Sequence, residues 1–466
     1  MIELNSPNHV IPEALLLLVR TILFLGCALA LMAQSDPPQA DSSAAGSDDA
    51  YSGPAILSRG ETPGAHTVAP IAFRPYIGVS GIYDTGLVPV AVTSTGGIPT
   101  SDLYGLEANL GAYTYHVWKH TTLALDYKGD YRHYSTSTWD GTDQFLSLIL
   151  THQPSKRVTI TMREQGGVYS NNYFLGSSLG ALDPNYLQLP QNDIYDNRVI
   201  FAGVSTDLTY RLTHRLSFHV GGDGSLVRRQ SSALYGMTSG VARGDLEYRI
   251  SRHSTLGADY KFTYFEYTKG FGNTGIHSVG LNYSTQISQQ VQLSARIGGA
   301  RVESQSLTEV TLDPAVAALL GESVGIQAAY RLNYVPDMQV RLTDTLRRSQ
   351  FSLSYSDQVV PGNGVYLTSR NNTGSASYSY TGIRHWNLGV NAMYGRMTAL
   401  VQTVGAYSAY GGGVGITRDL GRGLHSVLRL DARHYDVAGG GLPTTTEYRV
   451  SLGVSFSPGD LPLVLW

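Results

Sequence analysis

Cysteine is nearly missing: the chain has one in 466 residues, and Cys27 lies inside the only long hydrophobic run. Neither a disulfide framework nor a cysteine-ligated metal can therefore hold the rest of the chain together. An excess of charge of one sign is missing too, with 33 Lys and Arg against 36 Asp and Glu, a formal −3, and only 15% charged residues. Those totals suggest no polyanion partner such as nucleic acid, and no acidic tail. The one stretch that might pass for a phosphate-cradling loop, "YGGGVGI" (Tyr410 to Ile416), lacks the Lys-Ser/Thr of such a loop and sits within a strand pattern. Phenylalanine is scarce at 11, whereas tyrosine (31) and glycine (52) are over-used. That balance favours β structure with many tight turns and many ring-plus-hydroxyl side chains at a polar–apolar boundary.

The hydrophobic run is "ALLLLVRTILFLGCALALMAQ" (Ala14 to Gln34), split by Arg20 and ending in small residues around Ala33. It reads as a cleaved secretory signal over residues 1–33, although Glu3 and Glu13 stand where positive charge is usual. As a permanent transmembrane helix, the part after Arg20 is short. "LGC" hints at a lipoprotein signal, but "ALALMA" follows directly and keeps Cys27 within the apolar region. Residues 34–70, including "SDPPQADSSAAGSDDAYSGP", carry no periodicity and read as a disordered periplasmic leader, too short and polar for a folded plug.

From there onward one pattern recurs. In "LALDYKGDYRHYS", Leu123, Leu125, Tyr127 and Tyr131 alternate with Asp126, Lys128, Asp130 and Arg132. In "GDLEYRI", Leu246, Tyr248 and Ile250 alternate with Asp245, Glu247 and Arg249, and "TLGADYKFTYFEY" sets Tyr260 and Phe262 against Asp259 and Lys261. About eighteen such segments of roughly 10 to 14 residues follow one another, longer than ordinary soluble strands and matched to a tilted crossing of a bilayer. Short connections such as "LTHR" (Leu212 to Arg215), "SRHS" (Ser251 to Ser254), "LRRS" (Leu346 to Ser349) and "GIRH" (Gly382 to His385) switch with long ones such as Tyr169 to Tyr195 and Val302 to Pro336. Trp118 and Trp386 fall beside two short turns, as an aromatic girdle would.

These features predict an all-β chain: a transmembrane antiparallel up-and-down β-barrel of about 18 strands (roughly 16 to 18) over residues 71–457, with a tail at 458–466. The apolar parity would face lipid and the polar parity the lumen. A one-residue slip of the strand holding Asp126 would turn Lys128 and Arg132 to lipid, at roughly 2 to 4 kcal/mol for a basic residue near the midplane, so the register is strongly fixed.

The last strand, "YRVSLGVSF" (Tyr448 to Phe456), resembles the signal by which outer-membrane barrels are recognised by the barrel assembly machinery, except that "SPGDLPLVLW" follows it. Pro458 and Pro462 argue against continuation of that strand. Leader, alternation and last strand together resemble porin-type barrels over Phe73 to Phe456. The resemblance implies an integral protein of the bacterial outer membrane, in contact with lipid and lipopolysaccharide and able to form a homo-oligomer, that passes small hydrophilic solutes by diffusion. It implies neither a cofactor nor a resident metal. A loop-plugged structural or surface-binding barrel is the alternative, and an outer-membrane hydrolase the second alternative.

A channel needs charges along a water-filled bore. The candidates for lining it are Glu107, Asp126, Lys128, Asp130, Arg132, Arg163, Arg243, Asp245, Glu247, Arg249, Asp259, Lys261, Arg429, Asp431 and Arg433. Both signs mix on each strand, so neutralising ladders between strands are expected as well. Gly411, Gly413 and Gly415 share the lumen parity and would leave room for Arg429, Asp431 and Arg433. The connection Ser170 to Asp196 is rich in Leu, Phe and Tyr and would bury them by folding inward. Classical porins use their third loop in this way, which implies Asp183, Asp193 and Asp196 as constriction acids facing Arg132, Arg163 and Arg198. An external lid or adhesion surface is the competing reading of that loop. Two sets of groups could suggest chemistry: His219 with Asp223, and His133 with Asp140 and Asp143. They read as chance in a chain with 13 histidines, and "WDGTD" (Trp139 to Asp143) reads as a turn rather than a calcium loop.

Overall fold

The computed structural model describes residues 71–466 apart from 88–99, 137–139, 171–197, 231–233, 269–271, 312–322, 363, 365–366, 401–405, 439–444, 459–460 and 463–466. The strands in chain order are β1 (Ile71–Leu87), β2 (Thr100–Val117), β3 (Thr121–Tyr134), β4 (Gly141–Ser155), β5 (Val158–Tyr169), β6 (Val199–Arg211), β7 (Leu216–Arg229), β8 (Gly236–Arg249), β9 (Ser254–Thr268), β10 (Gly272–Gln286), β11 (Val291–Thr311), β12 (Val324–Thr345), β13 (Ser349–Val360), β14 (Ser369–Tyr380), β15 (Trp386–Ala399), β16 (Ala406–Gly421), β17 (Leu424–Ala438) and β18 (Thr445–Phe456). Each pairs antiparallel with its neighbours in sequence, and β1 pairs with both β2 and β18, so the sheet closes on itself. This is the up-and-down barrel of eighteen strands that the alternation predicts. A two-residue β19 (Leu461–Pro462) then adds the returning chain to Phe73 and Ala72 of β1, beyond the end of β18.

The turns at one end are built by hydroxyl residues. Ser155, Thr213 and Ser288 each accept, through the side-chain oxygen, the backbone N–H groups two and three residues on. A Ser or Thr in that role imitates a backbone turn and reverses the chain in few residues. Trp118 and Trp386 are partly exposed at this end, and the Arg418 guanidinium lies 5.2 Å from the Trp386 ring centre. The opposite end carries the longer connections.

Parity divides inside from outside. Along β3, Asp126, Asp130 and Arg132 are buried while Tyr131 is exposed. Around the wall the outward positions form an apolar belt that includes Ile77, Leu106, Leu146, Ile200, Val220, Leu246, Tyr260, Leu281, Ile297, Leu353, Leu430 and Leu452, all exposed. Tyrosines are frequent near the loop end of that belt, among them Tyr104, Tyr131, Tyr264, Tyr334 and Tyr330.

One expectation needs correcting. Val302 to Pro336 is not a long loop for most of its length: β11 runs on to Thr311 and β12 begins at Val324, and the two stay in register from Val291↔Asp344 to Thr311↔Val324. Pro336 lies within β12 without breaking it. It is tolerated there because β13 pairs only with Met338 to Thr345 of β12, so no partner on that edge needs the missing N–H. The result is a hairpin that stands above its neighbour, with Ile326 and Tyr330 among the most exposed large side chains of the molecule.

Candidate functional site

The inward face of the wall divides into three zones. The first is a pair of matching ladders on β6 to β12. Asp207, Gly221 and Arg243 lie abreast on β6, β7 and β8, while Asp259 and Gly280 lie abreast on β9 and β10 with Arg296 two residues off that row on β11, where Gly298 stands opposite Gly280. In each ladder the arginine reaches over the glycine to the aspartate two strands away: Arg243 Nη2 is 2.6 Å from Asp207 Oδ1, and Arg296 Nη2 is 2.7 Å from Asp259 Oδ2. A Cβ on Gly221 would come 2.8 Å from Arg243 Nε, and one on Gly280 would come 2.9 Å from Arg296 Nε, so only glycine leaves the passage free. Each arginine also holds a second acid, Asp223 for Arg243 and Asp337 at 2.8 Å for Arg296. Charge-assisted and partly desolvated pairs of this kind are stronger than surface ones, and losing one partner strands the other.

The second zone, on β1 to β4 and β17 to β18, is more tightly packed. Arg132 is 1% exposed, donates to Asp143 Oδ2 at 2.5 Å and lies 3.2 Å from Asp130 Oδ1. Arg449 pairs with Glu107, both buried, and Tyr134 donates to Asp84 Oδ2 at 3.3 Å. Asp143 also accepts from the Ser170 N–H at 2.6 Å, which ties the root of the following connection to this network. Arg429 holds Asp431 at 2.6 Å. A Cβ on Gly413 would come 2.9 Å from Asn391 Oδ1, whereas at Gly415 nothing lies within 4 Å.

The third zone is apolar and sits at the loop end. Phe145, Tyr169, Val199, Phe201, Val227, Met237, Phe265, Tyr267, Ile276, Ala300 and Val302 are buried there in one cluster spread over eight strands. Tyr169 stacks on Phe201 with ring centres 5.0 Å apart. From the connection between β13 and β14, the described residues Pro361, Gly364, Leu367 and Thr368 reach this wall. Thr368 donates its N–H to the Tyr267 hydroxyl, its Oγ1 lies 2.7 Å from Thr274 Oγ1, and Gly364 O accepts from the Tyr235 N–H at 3.2 Å. Leu367 packs on the apolar cluster. Gly364 has φ of +95°, and a Cβ there would come 2.7 Å from Arg229 Nε, so both backbone and space require glycine.

Of the candidates read from sequence, Glu107, Asp126, Lys128, Asp130, Arg132, Arg163, Arg243, Asp245, Glu247, Asp259, Lys261, Arg429, Asp431 and Arg433 share the inward parity of their strands, and Arg249 ends β8 on that parity, exposed. Asp183, Asp193 and Asp196 lie outside the described residues. Sequence reasoning did not single out Asp207, Arg296, Asp337 or Arg449, and named Asp223 only beside His219, although "VQLSARIGGA" places Arg296 on the parity opposite Leu293 and Ile297. It also did not anticipate the inward apolar zone. His219 and Asp223 do not meet, because Asp223 is held by Arg243. In "WDGTD" the acids diverge: Asp140 accepts from His133 Nδ1 at 2.8 Å and from the Tyr134 N–H, while Asp143 turns to Arg132.

No family model matches the chain, and no curated protein does. Among solved structures it is similar to Pseudomonas aeruginosa OccK2 (OpdF) in complex with glucuronate, at 13% identity, a TM-score of 0.41 and coverage of 83% of this chain and 98% of that one. It is similar to Acinetobacter baumannii OccAB1 at 12% identity, a TM-score of 0.41 and coverage of 85% and 100%. It is also similar to Pseudomonas aeruginosa OpdQ at 12% identity, a TM-score of 0.39 and coverage of 83% and 98%.

Proposed function

We propose that the chain is an integral outer-membrane barrel through whose lumen small hydrophilic solutes diffuse. The observation that carries this reading is the inverted wall: an exposed apolar belt outside and ranks of paired charges inside a closed ring of eighteen strands. Barrels of that strand number are wide enough to leave an aqueous passage between facing side chains. The inward residues named above would line it, with Asp207, Asp223, Arg296 and Asp337 added to them. The narrow point would lie at the loop end, where Pro361, Gly364, Leu367 and Thr368 reach the inward apolar wall. Asp183, Asp193 and Asp196 remain proposed as acids of a second inward segment. The assembly machinery would read β18, whose Tyr448, Leu452, Val454 and Phe456 face outward and are exposed, and lipopolysaccharide would meet the tyrosine-rich upper belt.

Liposome swelling with neutral sugars of increasing size tests this. Rates that fall with solute size support a diffusion channel. Folded barrel that produces no swelling, both as the full chain and with Pro361 to Thr368 replaced by a short Gly-Ser turn, would instead support the plugged, surface-binding reading. That second reading is favoured by one observation, the near-complete burial of Arg132, Glu107 and Arg449.

A further inference from the structure

Two acids in the ladder region have no arginine. Asp207, Asp223, Asp259 and Asp337 are each held by Arg243 or Arg296, but among the described residues no lysine or arginine ion-pairs with Asp245 or Glu247. Their shared partner is an imidazole: His219 Nε2 lies 4.0 Å from Asp245 Oδ1 and 3.5 Å from Glu247 Oε2. His219 on β7 stands directly opposite Asp245 on β8, and Glu247 follows Asp245 on the same face, so all three project inward as one patch. One ligand atom from each lies within 4.8 Å of the others. Asp245 Oδ1 is buried and accepts no hydrogen bond from the described residues.

We propose that His219, Asp245 and Glu247 form a binding site for a divalent cation of the zinc class, set in the lumen wall towards the short-turn end. A zinc ion with ligands at about 2.0 to 2.2 Å spaces them roughly 3.3 to 3.5 Å apart, which the three side chains reach by small rotamer adjustments. The imidazole nitrogen in the set selects a borderline cation over magnesium or calcium, which prefer all-oxygen sites. Thr209 Oγ1 lies 2.9 Å from His219 Nδ1. With an ion bound, Thr209 Oγ1 would accept a hydrogen bond from Nδ1–H and leave the Nε2 lone pair for the metal, the outer-shell arrangement common to metal-bound histidines. Ser217 Oγ, 3.3 Å from Nε2, borders the site on the same strand. Two carboxylates and a neutral ring sum to −2, which the ion would balance. The remaining coordination positions would open to lumen water, as in sites with three protein ligands.

The test is isothermal titration of the tag-free, refolded full chain in detergent with zinc chloride, followed by cobalt(II) substitution read by visible absorption. One equivalent is expected to bind, with cobalt bands typical of four or five ligands. Both signals should weaken at least tenfold in affinity in His219→Ala and in Glu247→Gln, while His133→Ala, on the outer face, leaves them unchanged. Two variants on different strands, each checked for heat-modifiable migration, separate loss of the site from loss of the fold. Absence of binding in the full chain, or equal binding in the full chain and both variants, would overturn the proposal. Because the readout needs no conductance, its failure and failure of the channel reading are distinct.

Discussion

Phe265 and Asp259 point the same way from the same strand, yet Phe265 is sealed in an apolar cluster and Asp259 is clasped by an arginine two strands away. The difference is one of depth. At the loop end the inward face meets protein, Leu367 and Thr368 among it, and apolar side chains gain by leaving water. Lower down, where no described backbone crosses the interior, inward groups find charged partners along the wall. The inward parity is thus a position, and what fills it is decided by what lies across from it.

Four substitutions probe that contrast, from the strongest expected effect to the weakest. Phe265→Ala removes a wholly buried ring from the apolar zone and should cost about 3 to 5 kcal/mol in urea unfolding of the detergent-refolded barrel. Arg296→Met strands Asp259 and Asp337. Removing one partner of a fully buried pair costs about 3 to 5 kcal/mol, but Arg296 and Asp259 keep 10% and 12% exposure, so we expect about 2 kcal/mol. Part of it should be recovered in the double variant with Asp259→Asn. Gly280→Ala pushes a methyl against both members of its ladder and should cost about 1 to 2 kcal/mol, whereas Gly415→Ala, with open space at its Cβ position, should change stability by less than about 0.5 kcal/mol. Equal effects at the two glycines would show that the ladder geometry is not what requires Gly280.

The smallest effect belongs to the loop end's outer surface. The Tyr134 N–H, and then His133, hold the exposed Asp140 carboxyl below the ordinary carboxylate value. A depressed carboxylate contributes stability above its unfolded value, near 3.9, that is lost as pH falls through the folded one. Asp140→Asn should therefore lower stability slightly at neutral pH, and the difference from the unsubstituted chain should shrink as pH falls below about 4. A difference that stays as large in acid as at neutral pH would contradict this.

The wall was legible in the sequence because its signal is local: strands such as "GDLEYRI" repeat a period of two, and the partners that fix register are the next strands along. The ladders were half legible. Arg243 and Asp259 declare their parity, but that Arg243 passes over Gly221 to Asp207 depends on three strands in register. Phe145, Phe201 and Phe265 interrupt the polar parity near strand ends, and the cluster they join spans eight strands with Leu367 packed against it, which periodicity cannot report. The length of the β11–β12 hairpin was not legible for a related reason: it extends beyond the end of β13, which the pattern within the two strands does not report.

The central claim is that an inward charged passage is narrowed by Pro361 to Thr368 at the loop end. Single-channel conductance in planar bilayers tests it most directly, comparing the full chain with a variant in which that segment is replaced by a short Gly-Ser turn. The account predicts steps proportional to salt concentration that grow when the segment is removed. Heat-modifiable, folded barrel that stays silent in both forms would contradict it.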